Sequence, residues 1–160
     1  MAEFKMGFIG TGNMGSAVAR AAAKSGERML LANRTPEKAE ALAAVLGAKV
    51  GTNLQAAAAC EYIFLGVKPQ MVVGVVEGLK ADILASEGIF VSMLAGVSLE
   101  KLALLLGADK KIIRIMPNTP CAVGQGLILY AANGRVSEDE LCAFRELMAP
   151  AGLTTNSACW

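Results

Sequence analysis

Hydrophobic positions along the chain fall in short runs, at 6–9, 62–67, 89–93 and 112–116. Between them apolar residues, many of them alanine, recur at helical spacing. The pattern predicts a strand over 5–9 and a helix over 13–25 that Gly26 ends. A second strand covers 28–32. Thr35 then reads as an N-cap with Pro36 at the first helical position, and the helix runs to Leu46 with Gly47 as its stop. Strands follow at 49–51, 62–66, 89–93 and 111–116, separated by helices at 54–59, 70–84 and 98–106, the last capped by Ser98. After Pro117-Asn118-Thr119-Pro120 the alternation breaks. A strand at 126–130, a helix from the Ser137/Glu140 capping pair to 148, and a short strand at 152–156 complete the reading. Strand and helix alternate six times, and right-handed crossovers turn that into an α/β fold: a doubly wound, mostly parallel sheet with helices on both faces.

Composition supports buried strands over a membrane segment. The chain has 160 residues, enough for one domain with one core. It is 54% hydrophobic with a mean hydropathy of +0.48. No stretch reaches the roughly 18 uncharged apolar residues that a membrane-spanning helix needs. Short apolar runs are what strands covered on both faces require. Fifteen basic and 14 acidic residues leave a net charge of +1, and aromatics are 5%. No basic stripe faces a nucleic-acid backbone, so neither a nucleic acid nor a membrane is an expected partner. The first apolar segment ends at Gly10, too early for a secretory leader, and a cytoplasmic location is expected. Four cysteines, at 60, 121, 142 and 159, form no CxxC pair, and the chain has no histidine. No metal site is expected, and Ser-His or Cys-His catalysis is excluded.

The strongest local signal follows the first strand. Gly10-Thr11-Gly12-Asn13-Met14-Gly15 fits GxGxxG at a strand-to-helix turn, the fingerprint of a Rossmann-type dinucleotide site. Gly10 permits the turn. Gly12 lets a pyrophosphate approach the backbone, and Gly15 lets the helix pack close to the sheet. An acidic residue some 20 positions on commonly holds the ribose 2′-hydroxyl of NAD. Here the second strand ends in Asn33-Arg34-Thr35. A guanidinium suits a 2′-phosphate, and Asn33 and Thr35 offer further donors. The expected cofactor is NADP(H).

Three further segments follow strands: Gly66-Val67-Lys68-Pro69-Gln70, Ser92-Met93-Leu94-Ala95-Gly96-Val97, and Arg114-Ile115-Met116-Pro117-Asn118-Thr119-Pro120. With Gly12-Asn13-Met14-Gly15 they resemble pyrroline-5-carboxylate reductase over about residues 4–153. The resemblance implies NADPH-dependent reduction of the C=N bond of 1-pyrroline-5-carboxylate to L-proline. It places Val67, Lys68 and Pro69 beside the ribose and nicotinamide, Ala95 and Gly96 under the nicotinamide ring, and Asn53 near the adenosine. Asn118 and Thr119 are candidate contacts for substrate or nicotinamide, and no catalytic residue is identified beyond them. The family carries a second, helical domain for substrate and dimerisation and forms homo-oligomers, and nothing in this sequence matches that domain. The expected organisation is a dinucleotide-binding domain over 1–153 and a divergent tail over 154–160 ending in Cys159-Trp160. These residues are expected to bind NADP(H) and to turn over poorly alone. The alternative is a regulatory NADP(H)-binding module without turnover. A related imine or deazaflavin oxidoreductase shares the same first half, and the Met-Pro-Asn-Thr-Pro segment argues against it.

Overall fold

The computed structural model describes residues 2–157. Strands β1 (Phe4–Ile9), β2 (Met29–Ala32), β3 (Lys49–Val50), β4 (Cys60–Leu65), β5 (Ile89–Ser92), β6 (Lys111–Met116), β7 (Gly126–Ala132) and β8 (Gly152–Asn156) form one sheet in the order β3-β2-β1-β4-β5-β6-β7-β8. The first six are parallel, in the doubly wound Rossmann order. Helices α1 (Asn13–Ala22), α2 (Pro36–Leu46), α3 (Asn53–Ala59), α4 (Val72–Gly78), α5 (Lys80–Ala85), α6 (Leu99–Leu106) and α7 (Glu138–Met148) cover the faces.

The short apolar runs are buried on both sides, as their composition requires. Phe8, Phe64, Val91 and Ile113 are register partners across four strands and belong to one core. Phe8 stacks on Phe64 with ring centroids 4.4 Å apart. Ala19, Ala22 and Leu42 close this core from α1 and α2. The alternate positions Ile63, Phe90 and Ile112 meet Val76, Ile83 and Leu102 in the second core. Alanine at the helix contacts lets α1 lie close to the sheet.

Two helices differ from the sequence reading, and the structure adds the direction of β7. The helix over 70–84 is a 3-10 turn at Pro69–Met71 followed by α4 and α5, with the break at Leu79 (φ −114°, ψ 11°). The break follows Gly78, and it buries Leu79 with Val76 and Ile83 in one core. The first helix ends at Ala22 and continues as a 3-10 turn to Ser25, closed by Gly26 in the left-handed region. Between β6 and β7 there is only a 3-10 turn, Thr119–Val123. A parallel crossover needs a dozen residues or more, so β7 runs antiparallel to β6. The sheet also continues past residue 153. Thr154, Thr155 and Asn156 pair with Ile128, Leu129 and Tyr130, so the expected domain boundary falls inside β8. Residues 158–160, which carry the expected Cys159-Trp160 ending, lie outside the described residues.

At the N-terminal end of the strands, the Ser137/Glu140 capping box starts α7 and the Glu140 carboxylate pairs with Lys111 at 2.7 Å. Burial pushes the Glu140 carboxyl up, but hydrogen bonds from Lys111 and Ser137 outweigh it and hold the group below its usual range. A lowered carboxyl stabilises the fold above its unfolded value and loses that contribution as pH falls through its folded value. Glu140→Gln keeps the capping geometry and removes the charge. The variant is expected to be less stable at pH 7 by about 0.5 kcal/mol, because the pair is partly screened by solvent. The gap should close in acid below the carboxylate range, and urea titrations at pH 7 and pH 3 check it.

Candidate functional site

The C-terminal ends of β1, β2 and β4 meet at two interlocked turns. Gly10 N–H donates to the Ala32 carbonyl (2.9 Å), and Gly66 N–H donates to the Ile9 carbonyl (2.8 Å). Gly10 sits at φ +98°, and a Cβ there would lie 2.7 Å from the Gly66 carbonyl carbon. A Cβ on Gly15 would lie 2.5 Å from the Gly10 oxygen, and one on Gly66 2.7 Å from the same oxygen. Three backbones therefore touch where no side chain fits. Gly12 is different: a Cβ there would meet nothing within 4 Å. Its missing side chain leaves open space in front of the loop.

Asn33 ties this loop to the end of β2. Its Oδ1 accepts from Thr11 N–H (3.0 Å), and its Nδ2 donates to the Thr35 carbonyl (3.0 Å). Asn33 thus braces the loop from both ends of its amide, a role its sequence position did not reveal. Thr35 stands at the N-cap position of α2, but its hydroxyl makes no capping bond there. The Ser16 hydroxyl donates to the Thr11 carbonyl (2.8 Å). Thr11 itself is buried, and its Oγ1 has no hydrogen-bond partner. A buried hydroxyl without a partner is costly unless a ligand or solvent completes it.

A cleft of about 430 Å³ opens over this loop. It brings together eight residues singled out in the sequence: Gly10, Gly12, Asn33, Arg34, Thr35, Asn53, Val67 and Lys68. It also draws in Gly66, Lys38, Met71 and Val75, which sequence reasoning did not assign. Lys38 carried a usable signal, since it lies four residues beyond Arg34 on the first turn of α2. Met71 and Val75 carried none, because only the packing of the segment after β4 turns them toward Arg34. Arg34, Lys38 and Lys68 put three cations on the cleft and no acidic residue lines it. The floor is the N-terminus of α1, which has no acid in its first turn. This chemistry fits a phosphorylated ligand.

The remaining predicted residues lie apart from the cleft walls. Asn13, Met14 and Gly15 form the first turn of α1. Pro69 opens the 3-10 turn after Lys68. Ala95 and Gly96 form an exposed turn after β5, with Gly96 at φ +74°. Asn118 and Thr119 start the turn between β6 and β7. The Asn118 Oδ1 is engaged within its own hairpin, accepting from Leu127 N–H at 2.9 Å and from the Cys121 thiol at 3.7 Å. Cys60 and Cys121 are buried and Cys142 is exposed. Burial pushes the Cys60 thiol up to about 12, which keeps it protonated and unreactive. Among the described residues no cluster of metal-ligating side chains occurs, and no helix is long and apolar enough to cross a membrane.

Residues 5–96, which carry the glycine loop, the Asn33-Arg34-Thr35 turn and the Val67-Lys68 rim, match the family described as NADP oxidoreductase, coenzyme F420-dependent. The chain belongs to this family. Among curated relatives it is 35% identical over 151 residues to the pyrroline-5-carboxylate reductase of Aquifex aeolicus (strain VF5), covering 92% of this chain and 55% of that protein. It is 36% identical over 143 residues to the enzyme of that name from Escherichia coli (strain K12), covering 86% and 53%. A solved pyrroline-5-carboxylate reductase from Coxiella burnetii superposes with a TM-score of 0.89 at 27% identity over 97% of this chain and 59% of that one. The Plasmodium falciparum structure, solved with NADP bound, gives 0.84 at 26% identity over 98% and 58%. The resemblance read from the three post-strand segments is thereby borne out. The chain spans about half the length of the curated relatives it matches. A reductive aminase from Aspergillus terreus, at 21% identity and a TM-score of 0.72, shares the fold.

Proposed function

We propose that these residues are the NADP(H)-binding half of a pyrroline-5-carboxylate reductase, a cytoplasmic enzyme of proline synthesis. The observation that carries this is the cleft itself: open space at Gly12, an unpartnered Thr11 hydroxyl, and three cations with no acid. The pyrophosphate would lie on the Gly10–Gly15 loop, against the N–H groups of Gly12, Asn13 and Met14. Arg34 and Lys38 would hold the 2′-phosphate, with the Thr35 hydroxyl as a further donor. Asn53 would lie at the adenosine side. Val67, Lys68 and Pro69 would flank the ribose toward the nicotinamide, and Ala95-Gly96 would offer it a flat surface. Asn118 and Thr119 would face the substrate side.

NADPH supplies the hydride that reduces the C=N carbon of pyrroline-5-carboxylate, giving proline and NADP⁺ with one proton taken up. The chain's own share is binding and orientation, which needs no histidine. The remainder of the relatives' length would complete the substrate pocket and assemble the homo-oligomer. These 160 residues are therefore expected to bind NADPH but to form proline at least ~10²-fold more slowly than a full-length relative, because the second reactant is not held. Fluorescence titration with NADPH, followed by a proline assay on the same sample, checks both halves. Proline formation at a full-length rate would overturn the division of labour. Failure to bind NADPH would overturn the assignment altogether.

A further inference from the structure

The turn between β7 and α7 carries a dipeptide that the cofactor cleft does not use. Of the six asparagines in the chain, at 13, 33, 53, 118, 133 and 156, only Asn133 precedes a glycine. An asparagine followed by glycine is prone to cyclise, because no Cβ on the next residue keeps its backbone nitrogen from the side-chain carbonyl. Both residues line an open cleft of about 710 Å³ beside the start of α6, and Gly134 is exposed, so water reaches them. In the fold the Asn133 amide is engaged on both sides. Its Oδ1 accepts from Ile112 N–H and from Arg135 N–H, both at 3.2 Å, and its Nδ2 donates to the Lys110 carbonyl at 2.8 Å. Lys110 is buried, and its Nζ donates to the carbonyls of Leu84 and Ser86 at the end of α5. The Asn133 amide therefore joins the start of β6, and through Lys110 the end of α5, to the turn into α7.

We propose that Asn133 is a modification site at which the chain deamidates, and that its native hydrogen bonds gate the reaction. Gly134 N bonds to Asn133 Cγ, the Cγ–Nδ2 bond breaks, and Nδ2 leaves as ammonia with the proton of the Gly134 amide. The succinimide that forms takes up water and opens to aspartate or isoaspartate. Hydrogen bonds to an amide oxygen lie near the amide plane, whereas the attacking nitrogen must approach across its face. The three bonds hold that plane on Lys110, Ile112 and Arg135, so ring closure waits on a local opening that breaks them. The product does not restore the tie. An aspartate accepts from Ile112 and Arg135 as before, but it has no donor for the Lys110 carbonyl and sets a carboxylate against it. Isoaspartate also lengthens the backbone by a carbon between β7 and α7. Deamidation thus replaces the turn irreversibly by a weaker one. It does so at the N-terminal end of β6, whereas the glycine loop lies at the C-terminal end of β1.

The test is incubation of the full chain at mildly alkaline pH, native and chemically unfolded, with conversion at each asparagine followed by peptide mass mapping. The unfolded chain should deamidate at Asn133 ahead of its other asparagines. The native chain should convert Asn133 at least ~10-fold more slowly, because three hydrogen bonds must open first. Gly134→Ala separates the chemistry from the fold. Gly134 does not adopt a positive φ, and a Cβ there would meet nothing within 4 Å, so the variant should melt with wild type. Its unfolded chain should lose most of the Asn133 conversion, a readout that does not depend on folding. Asn133→Asp, which is one of the two products, should melt about 2–4 °C below wild type. An unfolded chain that converts Asn133 no faster than its other asparagines would overturn the site. Undiminished conversion in unfolded Gly134→Ala would overturn the succinimide route. Equal Asn133 rates in native and unfolded chains would overturn the gate, and Asn133→Asp melting with wild type would overturn the weaker product.

Discussion

Gly12→Ala is expected to leave the fold intact and weaken NADPH binding by about 10²-fold or more. At φ −70° and ψ −165° an alanine is unstrained, and its Cβ would meet nothing within 4 Å. Removing a glycine at a compatible position even stabilises slightly, by about 0.4–1 kcal/mol, through the unfolded chain. The open space is where a pyrophosphate would approach the backbone N–H groups. Charge-assisted hydrogen bonds of that kind contribute about 1.5–3 kcal/mol each, and a methyl group held in the way costs at least two of them. Gly15→Ala should behave in the opposite manner. Its Cβ would lie 2.5 Å from the Gly10 carbonyl oxygen, and backbone cannot step aside as a side chain can. That variant should lose about 1–3 kcal/mol of stability before any question of binding arises. Thermal unfolding and NADPH titration on the same preparations separate the two. If Gly12→Ala bound NADPH within twofold of wild type, the loop would not be the pyrophosphate site.

The contrast between Gly12 and Gly15 also shows how far the sequence could be read. The three loop glycines were given separate tasks from the motif, and the structure sets backbone against a Cβ at Gly10 and Gly15 and open space at Gly12. The alternation of strand and helix was legible because each parallel strand is buried on both faces. The break at Leu79 was not, because 72–76 and 80–83 keep one apolar helical face across it. The direction of β7 was hidden for a different reason: it depends on a connection too short to cross over, not on any residue within the strand. Met71 and Val75 reach the cleft only through tertiary packing, whereas Lys38 stands four residues beyond Arg34 on the first turn of α2. Asn33 was read as a ligand donor, and its amide also accepts from Thr11 N–H and donates to the Thr35 carbonyl. That bond pattern strengthens the cofactor reading. An aspartate at 33 could accept from Thr11 N–H but could not donate to the Thr35 carbonyl, so the turn presenting Arg34 is built on an amide.

Arg34→Asp is expected to reverse the cofactor preference, from NADPH to NADH. Asn33 occupies the place of the acid that would hold a 2′-hydroxyl and the Arg34 guanidinium follows it, and a charge-assisted pair with a 2′-phosphate is worth about 1.5–3 kcal/mol, or roughly 10- to 150-fold. The substitution removes that pair and sets a carboxylate against the phosphate, while the same carboxylate can accept from the ribose hydroxyl of NADH. Lys38 complicates the outcome in a definite way. It lies four residues beyond Arg34, on the first turn of α2 and on the same cleft, so it continues to attract a 2′-phosphate after Arg34 is gone. The single variant should therefore bind NADPH better than Arg34→Asp/Lys38→Ala does, and the double variant should show the larger reversal. Salt gives an independent check. Arg34 and Lys38 are exposed, so raising ionic strength should erode the wild-type preference for NADPH more than it weakens NADH, by screening the extra phosphate. Side-by-side titrations with NADPH and NADH at two salt concentrations measure all of this. A preference unchanged in Arg34→Asp but lost in Lys38→Ala would move the discrimination onto Lys38. A preference unchanged in both would mean that the end of β2 does not read the 2′-position.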